Sequence, residues 1–238
     1  MGQFMKPDQN EVLQYLLSQD ADVICLQEVD VYKSERFLTL QDVKQTLGGK
    51  YTYSYLDFAV YDKRHQFGTM VWSKYPLINK QSIHYETRGN ISNRCDVVVG
   101  QDTIRLFNNH LESYNFNAED LEEMEHIWDK WRRAVPIRNK QAQVVRAEID
   151  KSPYPVIVVG DFNSVALSFA YWHLSRGLHD AWNETHHFWE LGPTCEHRGF
   201  GVRIDYILCS DPLRPVSSFI PAAAHGSDHK PVVATLEW

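Results

Sequence analysis

Three short apolar runs in this chain each meet side chains that carry acid, amide or imidazole chemistry. Val23-Ile24-Cys25-Leu26 runs into Gln27-Glu28, and Val156-Ile157-Val158-Val159 runs into Gly160-Asp161-Phe162-Asn163. Near the C-terminus, Gly226-Ser227-Asp228-His229-Lys230-Pro231 leads into Val232-Val233-Ala234. Apolar runs of this length bounded by Gly, Pro, Asp and Ser read as buried strands. A fold that buries them together sets their polar ends along one rim, as a phosphoryl-transfer metal site requires.

A chain of 238 residues is long enough for one sizeable core. No internal repeat, low-complexity tract or linker divides it, so a single domain over residues 1–238 is expected. The net charge of −7 argues against the basic stripe that dominates nucleic-acid affinity, and any basic groove would have to be assembled by folding. Cys25, Cys95, Cys195 and Cys209 show no zinc spacing, and Cys25 and Cys209 sit in apolar runs as buried thiols would. No run approaches the roughly 18 apolar residues of a membrane span. No signal-peptide pattern opens the chain, so the compartment stays open. HExxH, the P-loop and G-x-S-x-G are all missing, which argues against zincin, NTPase and α/β-hydrolase chemistry.

Helices are expected from Pro7 to Asp20, N-capped by Asp8, and from Thr39 to Leu47, stopped by Gly48-Gly49. Two further helices are expected over Ala118–Arg133 and Ile137–Asp150. The first of these carries acids early and bases late, which complements its dipole. Its Trp128 and Trp131 either shape a pocket or simply pack. Strands are expected over Asp22–Glu28, Tyr51–Tyr61, Gly68–Trp72, Val202–Cys209 and Pro231–Glu237, with a hairpin at Arg94–Val99 and Thr103–Asn108.

Gly160 at a strand end gives a sharp turn that sets Asp161 and Asn163 on the same rim. An anionic Asp can orient and deprotonate water, and an Asn amide can donate to a phosphate oxygen or to the Asp. The same residues also suit an ordinary Asx turn. Glu28 offers a hard oxygen suited to Mg²⁺ or Mn²⁺, or is a solvated rim acid. In Val202-Arg203-Ile204-Asp205-Tyr206, alternation puts both charges on one face, so each needs a partner. Either Arg203 pairs structurally with a neighbour or Asp205 holds a histidine, with His229 the natural choice. Asp228 would then turn toward a metal. His110, after the run Phe107-Asn108-Asn109, is a structural hydrogen bonder or an acid toward a leaving group. His179, His186, His187, His197 and His225 read as loop histidines.

Gln27-Glu28, Asn109-His110-Leu111, Gly160-Asp161-Phe162-Asn163, Arg203-Ile204-Asp205-Tyr206 and Ser227-Asp228-His229-Lys230-Pro231 occur here in one order. Together they resemble the endonuclease/exonuclease/phosphatase superfamily, and Gly68 to Leu77 looks like its second-sheet segment. The resemblance implies an α/β fold, a four-layer α/β/β/α sandwich of two mixed β-sheets flanked by helices. It implies that Glu28 binds a metal ion, Mg²⁺ or Mn²⁺, and that Asp228 touches one. It implies that Asp161 activates water, Asn163 stabilises phosphate, and Asp205 orients a phosphate-contacting His229. His110 resembles the added histidine of deoxyribonuclease-like and sphingomyelinase-like members. One departure is that the family's usual first strand, ending in an Asn near the metal, has no counterpart ahead of the first helix. Asn10, inside the expected helix, is a poor substitute. Either the chain begins downstream of the natural start, or another segment fills that slot.

The expected function is hydrolysis of a phosphoester, foremost a phosphodiester, in a nucleic acid, a lipid head group or a small molecule. The alternative is a non-catalytic binding or scaffold domain of the same fold with an incomplete metal shell.

Overall fold

The computed structural model describes residues 10–87, 89–114, 124–197, 200–222 and 226–238. Helix α1 (Glu11–Gln19) starts at Asn10, whose side chain accepts from the Leu13 N–H. The cap is therefore Asn10 and not Asp8, which lies outside the described residues. Strand β1 (Val23–Tyr32) follows, and then α2 (Leu40–Gly48), closed at its start by a Thr39/Asp42 capping box. Strands β2 (Tyr53–Tyr61), β3 (His65–Ser73), β4 (Leu77–His84), β5 (Ile91–Val99) and β6 (Asp102–His110) then run as successive antiparallel neighbours or cross between sheets.

Helix α3 (Met124–Ile149) continues through Pro136. The two helices expected on either side of that proline are one. The acidic stretch Glu119–Glu123 lies outside the described residues. After α3 come β7 (Val156–Asp161), α4 (Phe169–Ser175), β8 (His179–Asp180) and α5 (Ala181–Thr185). Strands β9 (Cys195–His197), β10 (Phe200–Val202), β11 (Asp205–Cys209), β12 (Arg214–Phe219) and β13 (Val233–Glu237) complete the chain. The strand expected over Val202–Cys209 is thus interrupted at Arg203-Ile204, and β4 and β12 went unforeseen.

These elements stack in four layers. The sheet β4-β5-β6-β7-β11-β8 is mixed, because β6 and β7 are parallel, whereas the described pairings in β1-β3-β2 and β12-β13 are antiparallel. Of the two mixed sheets expected, only the six-stranded one is mixed among the described residues. Val71, Leu77, Cys95, Val97, Leu106 and Val159 fill the space between the facing sheets. Leu13, Val43 and Leu47 of α1 and α2 cover the outside of β1-β3-β2 against Ile24, Met70 and Trp72. On the opposite outside, Ala142, Val145 and Leu174 of α3 and α4 cover Phe107, Val158 and Leu208. All four cysteines are free thiols. No helix of the described residues is long and apolar enough to cross a membrane.

Strand β1 pairs with β3 and β13 with β12, and among the described residues neither has a strand on its other side. A cavity of about 290 Å³ is lined by α1, β1 and residues 227–234, with the ends of β7 and β11 also facing it.

Phe107 is fully buried where α3 meets the six-stranded sheet. Phe107→Ala is expected to destabilise the fold by about 3–5 kcal/mol, measured by urea unfolding. A loss below about 1 kcal/mol would show that this layer is not packed as described.

Candidate active site

Strand register aligns the polar ends. In parallel β6–β7, His110 faces Asp161, and in antiparallel β7–β11, Asp161 faces Asp205. Directly paired residues project to the same face, so one row across three strands presents an imidazole and two carboxylates. Gly160 makes the row possible. Its φ is 129°, and a Cβ there would stand 2.0 Å from the Asn109 carbonyl oxygen. No other residue permits β7 that approach.

The turn after β7 is held by its own amides. The Asn163 N–H donates to Asp161 Oδ1 at 2.7 Å, and its side-chain amide donates to Asp161 Oδ2 at 3.0 Å and to the Leu111 carbonyl at 2.9 Å. Asn163 takes φ 49°, a left-handed conformation that Asn tolerates better than most residues. His229 lies 2.9 Å from Asp205 Oδ2 through Nδ1, so both expectations for the Arg203/Asp205 pair hold. Arg203 Nη1 donates to both oxygens of the buried Asp180 carboxylate, at 2.9 and 2.8 Å.

Glu28 arrives from the facing sheet. Strand β1 does not stop there as expected. A bulge between Leu26 and Val29 gives Glu28 φ 51°, and the strand continues beyond it. Bulges re-aim side chains, and this one points the carboxylate to 3.1 Å from His110 Nε2. Glu28, Asp161, Asp205, Asp228 and His229 all line the cavity described above. His110 and Asn163 stand behind that lining, joined to it by Glu28 and Asp161.

The electrostatics follow from burial. Desolvation, then the charge of Asp205, pushes the Asp161 carboxyl up to about 7. Burial opposes a charged His229, but the charge and hydrogen bond of Asp205 outweigh it and hold the imidazole far above its ordinary range. His110 is likewise raised, with Glu28 and Asp161 overcoming its burial. Glu28 is lowered, first by the contact with His110.

Ligand atoms of Asp161, Asp205 and His229 lie within 4.8 Å of one another. The Asp161 and Asp205 carboxylates offer hard oxygens, which suit a hard divalent cation better than a soft metal. Two carboxylates forced together under burial gain from a cation between them. The closest cluster is not Glu28 with Asp228, the pair singled out from sequence. Glu28 is half exposed and Asp228 is exposed, both facing the same cavity.

Several supporting residues carried no strong sequence signal. Asn108 is buried and crosses between the sheets, donating to the Leu26 and Met70 carbonyls at 3.2 Å and accepting from Gln27 at 2.5 Å. It thereby braces the bulge that aims Glu28. An Asn in an apolar strand was the available clue, since it needs partners. Thr194 Oγ1 accepts from the Ile204 and Asp205 N–H groups, while its carbonyl accepts from the Lys230 N–H beside His229. Trp128 and Trp131 pack edge to face with each other at the surface and do not line the cavity. His179 pairs with Glu184 and Asp211, while His186 and His187 stack on Trp182 and Trp189. The side chain of His197 and all of His225 lie outside the described residues.

Two facing sheets, helices outside, and acids with imidazoles at one rim define an α/β-sandwich protein with a polar site at one edge. The chain belongs to the Endonuclease/Exonuclease/phosphatase family, whose profile matches residues 2–229. Members of that family are phosphoesterases and are generally dependent on divalent metal. An endonuclease/exonuclease/phosphatase from Beutenbergia cavernae is similar at TM-score 0.72 and 17% identity. That match covers 94% of this chain, which spans 64% of the Beutenbergia protein. Truncated TDP2 from Caenorhabditis elegans matches at TM-score 0.65 and 22% identity, over 94% of this chain and 88% of that truncated chain. A mannosyl-6-phosphatase from Bacteroides thetaiotaomicron matches at TM-score 0.66 and 15% identity, over 95% of this chain and 89% of its own. At these identities the likeness is one of fold. No curated protein sequence matches this chain significantly.

Asp205→Asn removes the charge that raises His229. The His229 pKa, followed by NMR titration of its ring protons, is expected to fall toward the ordinary value near 6.5. An unchanged titration would show that Asp205 does not govern the imidazole.

Proposed function

We propose that this chain hydrolyses phosphoesters, phosphodiesters foremost, by in-line attack of a water activated by Asp161. The observation that carries this reading is the single cross-strand row of His110, Asp161 and Asp205, with His229 held 2.9 Å from Asp205. Asp161, raised to about 7, is tuned as a base for neutral conditions. It takes a proton from the attacking water as the new P–O bond forms and the bond to the leaving oxygen breaks. The His229 imidazolium donates to an equatorial oxygen as negative charge builds, while the Asn163 amide holds the Asp161 carboxylate in place. Asp205 keeps His229 oriented and charged. His110, a buried imidazole beside Glu28, is the acid available to the leaving oxygen.

Glu28 and Asp228 would hold Mg²⁺ or Mn²⁺, and Asp161 and Asp205 line the same cavity. When bound, the ion supplies charge stabilisation at the phosphoryl and leaving oxygens. The donor set fits such an ion without a soft ligand.

The substrate is a phosphoester borne by a nucleic acid, a lipid head group or a small molecule. The net charge of −7 disfavours long-range capture of a polyanion. The similarity to a mannosyl-6-phosphatase makes a phosphomonoester the competing substrate. A panel of plasmid DNA, RNA, sphingomyelin, phosphoinositides and bis-p-nitrophenyl phosphate with Mg²⁺ sorts these classes.

Asp161→Ala is expected to lower turnover of bis-p-nitrophenyl phosphate by about 10³-fold, several kcal/mol of barrier. Equal turnover by the variant removes Asp161 from the chemistry. Calorimetric titration with Mg²⁺ or Mn²⁺ is expected to show binding that Glu28→Gln weakens. A chain that binds no ion and turns over none of the panel is the scaffold domain instead.

A further inference from the structure

Arg138, on α3, is 1% exposed, one of the largest fully buried side chains described. Burying a guanidinium carries a desolvation penalty of several kcal/mol, normally offset by a paired carboxylate. Arg138 has no carboxylate in hydrogen-bond contact among the described residues. Its Nε donates to the Glu112 carbonyl at 2.7 Å and its Nη1 to Ser164 Oγ at 3.1 Å, while Nη2 has no hydrogen-bond partner among the described residues. The Tyr114 ring covers the guanidinium at 4.1 Å.

Both of its acceptors are chain neighbours of the groups that hold Asn163. Glu112 follows Leu111, whose carbonyl takes the Asn163 amide at 2.9 Å. Ser164 follows Asn163 itself, and its carbonyl is tied by the Tyr206 hydroxyl at 2.8 Å. Gln141, one turn along α3, reinforces the first of these points. Its Oε1 accepts from the Glu112 N–H at 2.7 Å and its Nε2 donates to Thr87 at 3.1 Å. The Asn163 conformation at φ 49° is sparsely populated and persists only where its surroundings over-determine it. One rigid fork from α3 therefore ties the Leu111-Glu112 segment to Ser164, at the end of the turn that carries Asp161 and Asn163.

We propose that Arg138 is a positioning residue for the hydrolysis. By fixing Glu112 and Ser164 it holds the Asn163 amide and the Asp161 carboxylate in the geometry of the reaction. This rests on the phosphoesterase reading above, and it uses α3 as part of the site and not only as cover for the sheet.

The test uses the full chain with Mg²⁺ and bis-p-nitrophenyl phosphate, with Arg138→Met, Arg138→Lys and Ser164→Ala. Arg138→Met is expected to lower kcat by about 10–100-fold, with KM changed less than threefold, as for loss of a transition-state interaction. Arg138→Lys, which keeps a charge and one donor, recovers part of that loss, and Ser164→Ala gives a smaller loss in the same direction. Amide hydrogen exchange at Asn163 and Ser164 is expected to quicken in Arg138→Met relative to β3, a readout independent of turnover. If Arg138→Met does not fold, Arg138→Lys and Ser164→Ala decide the matter by the same two measurements. Unchanged kcat and exchange in the folded variants overturn the proposal, as does a change confined to KM. If the unmutated chain turns over nothing, the phosphoesterase reading falls, while the exchange data still show whether Arg138 holds the turn.

Discussion

The parallel pairing of β6 with β7 is the constraint from which the rest of this structure follows. Parallel neighbours cannot be joined by a tight turn and need a long crossover, here supplied by α3 on the outer face of the sheet. The crossover buries Ala142 and Val145 against Phe107 and Val158, so the hydrophobic layer and the strand order are set together. The pairing also fixes register. A slip by one residue would turn His110 and Asp161 to opposite faces and dissolve the row they form with Asp205. Site and core are therefore specified by the same hydrogen bonds.

The facing sheet meets that row through an irregularity. A regular β1 would alternate Gln27 and Glu28 between the two faces, leaving the acid pointed away from His110 or the chain ended there. The bulge resolves this by giving Glu28 a left-handed backbone and letting the strand resume pairing at Val29 with Gly68. A broken ladder leaves carbonyls to satisfy, and the buried Asn108 amide takes those of Leu26 and Met70. The polar interior between the sheets is a set of braces for the rim.

Residues whose chemistry is conspicuous were readable from sequence. Gly160-Asp161-Phe162-Asn163, Asp205 and His229 announce themselves because acids and imidazoles beside apolar strands demand partners. The layers were legible through the family resemblance, and the helices through apolar spacing. What escaped was fixed by distant contacts. Asn108, Thr194 and Arg138 act on chain segments far from them in sequence, so no local pattern marks their roles. The continuous α3 escaped because Pro136 and the charge pattern argued for two helices, while packing against the sheet outweighs the local preference of one proline. The N-cap was misplaced by two residues, since Asp8 and Asn10 have nearly equal capping preference.

Charge explains why these braces are neutral or cationic where they face the row. Glu28, Asp161, Asp205 and Asp228 line one cavity, and the imidazoles of His110 and His229 beside them are both raised by the acids they touch. The groups that position them, Asn108, Asn163 and Thr194, add dipoles without adding charge. Arg138 stands outside the cavity lining and donates to Ser164, next to Asn163. An acidic brace in any of these places would compound the repulsion that already lifts Asp161, and would move it away from the range where a carboxylate can serve as base near neutrality. The site thus holds Asp161 and Asp205 close together beside His229, with the rigidity coming from side chains that add no negative charge.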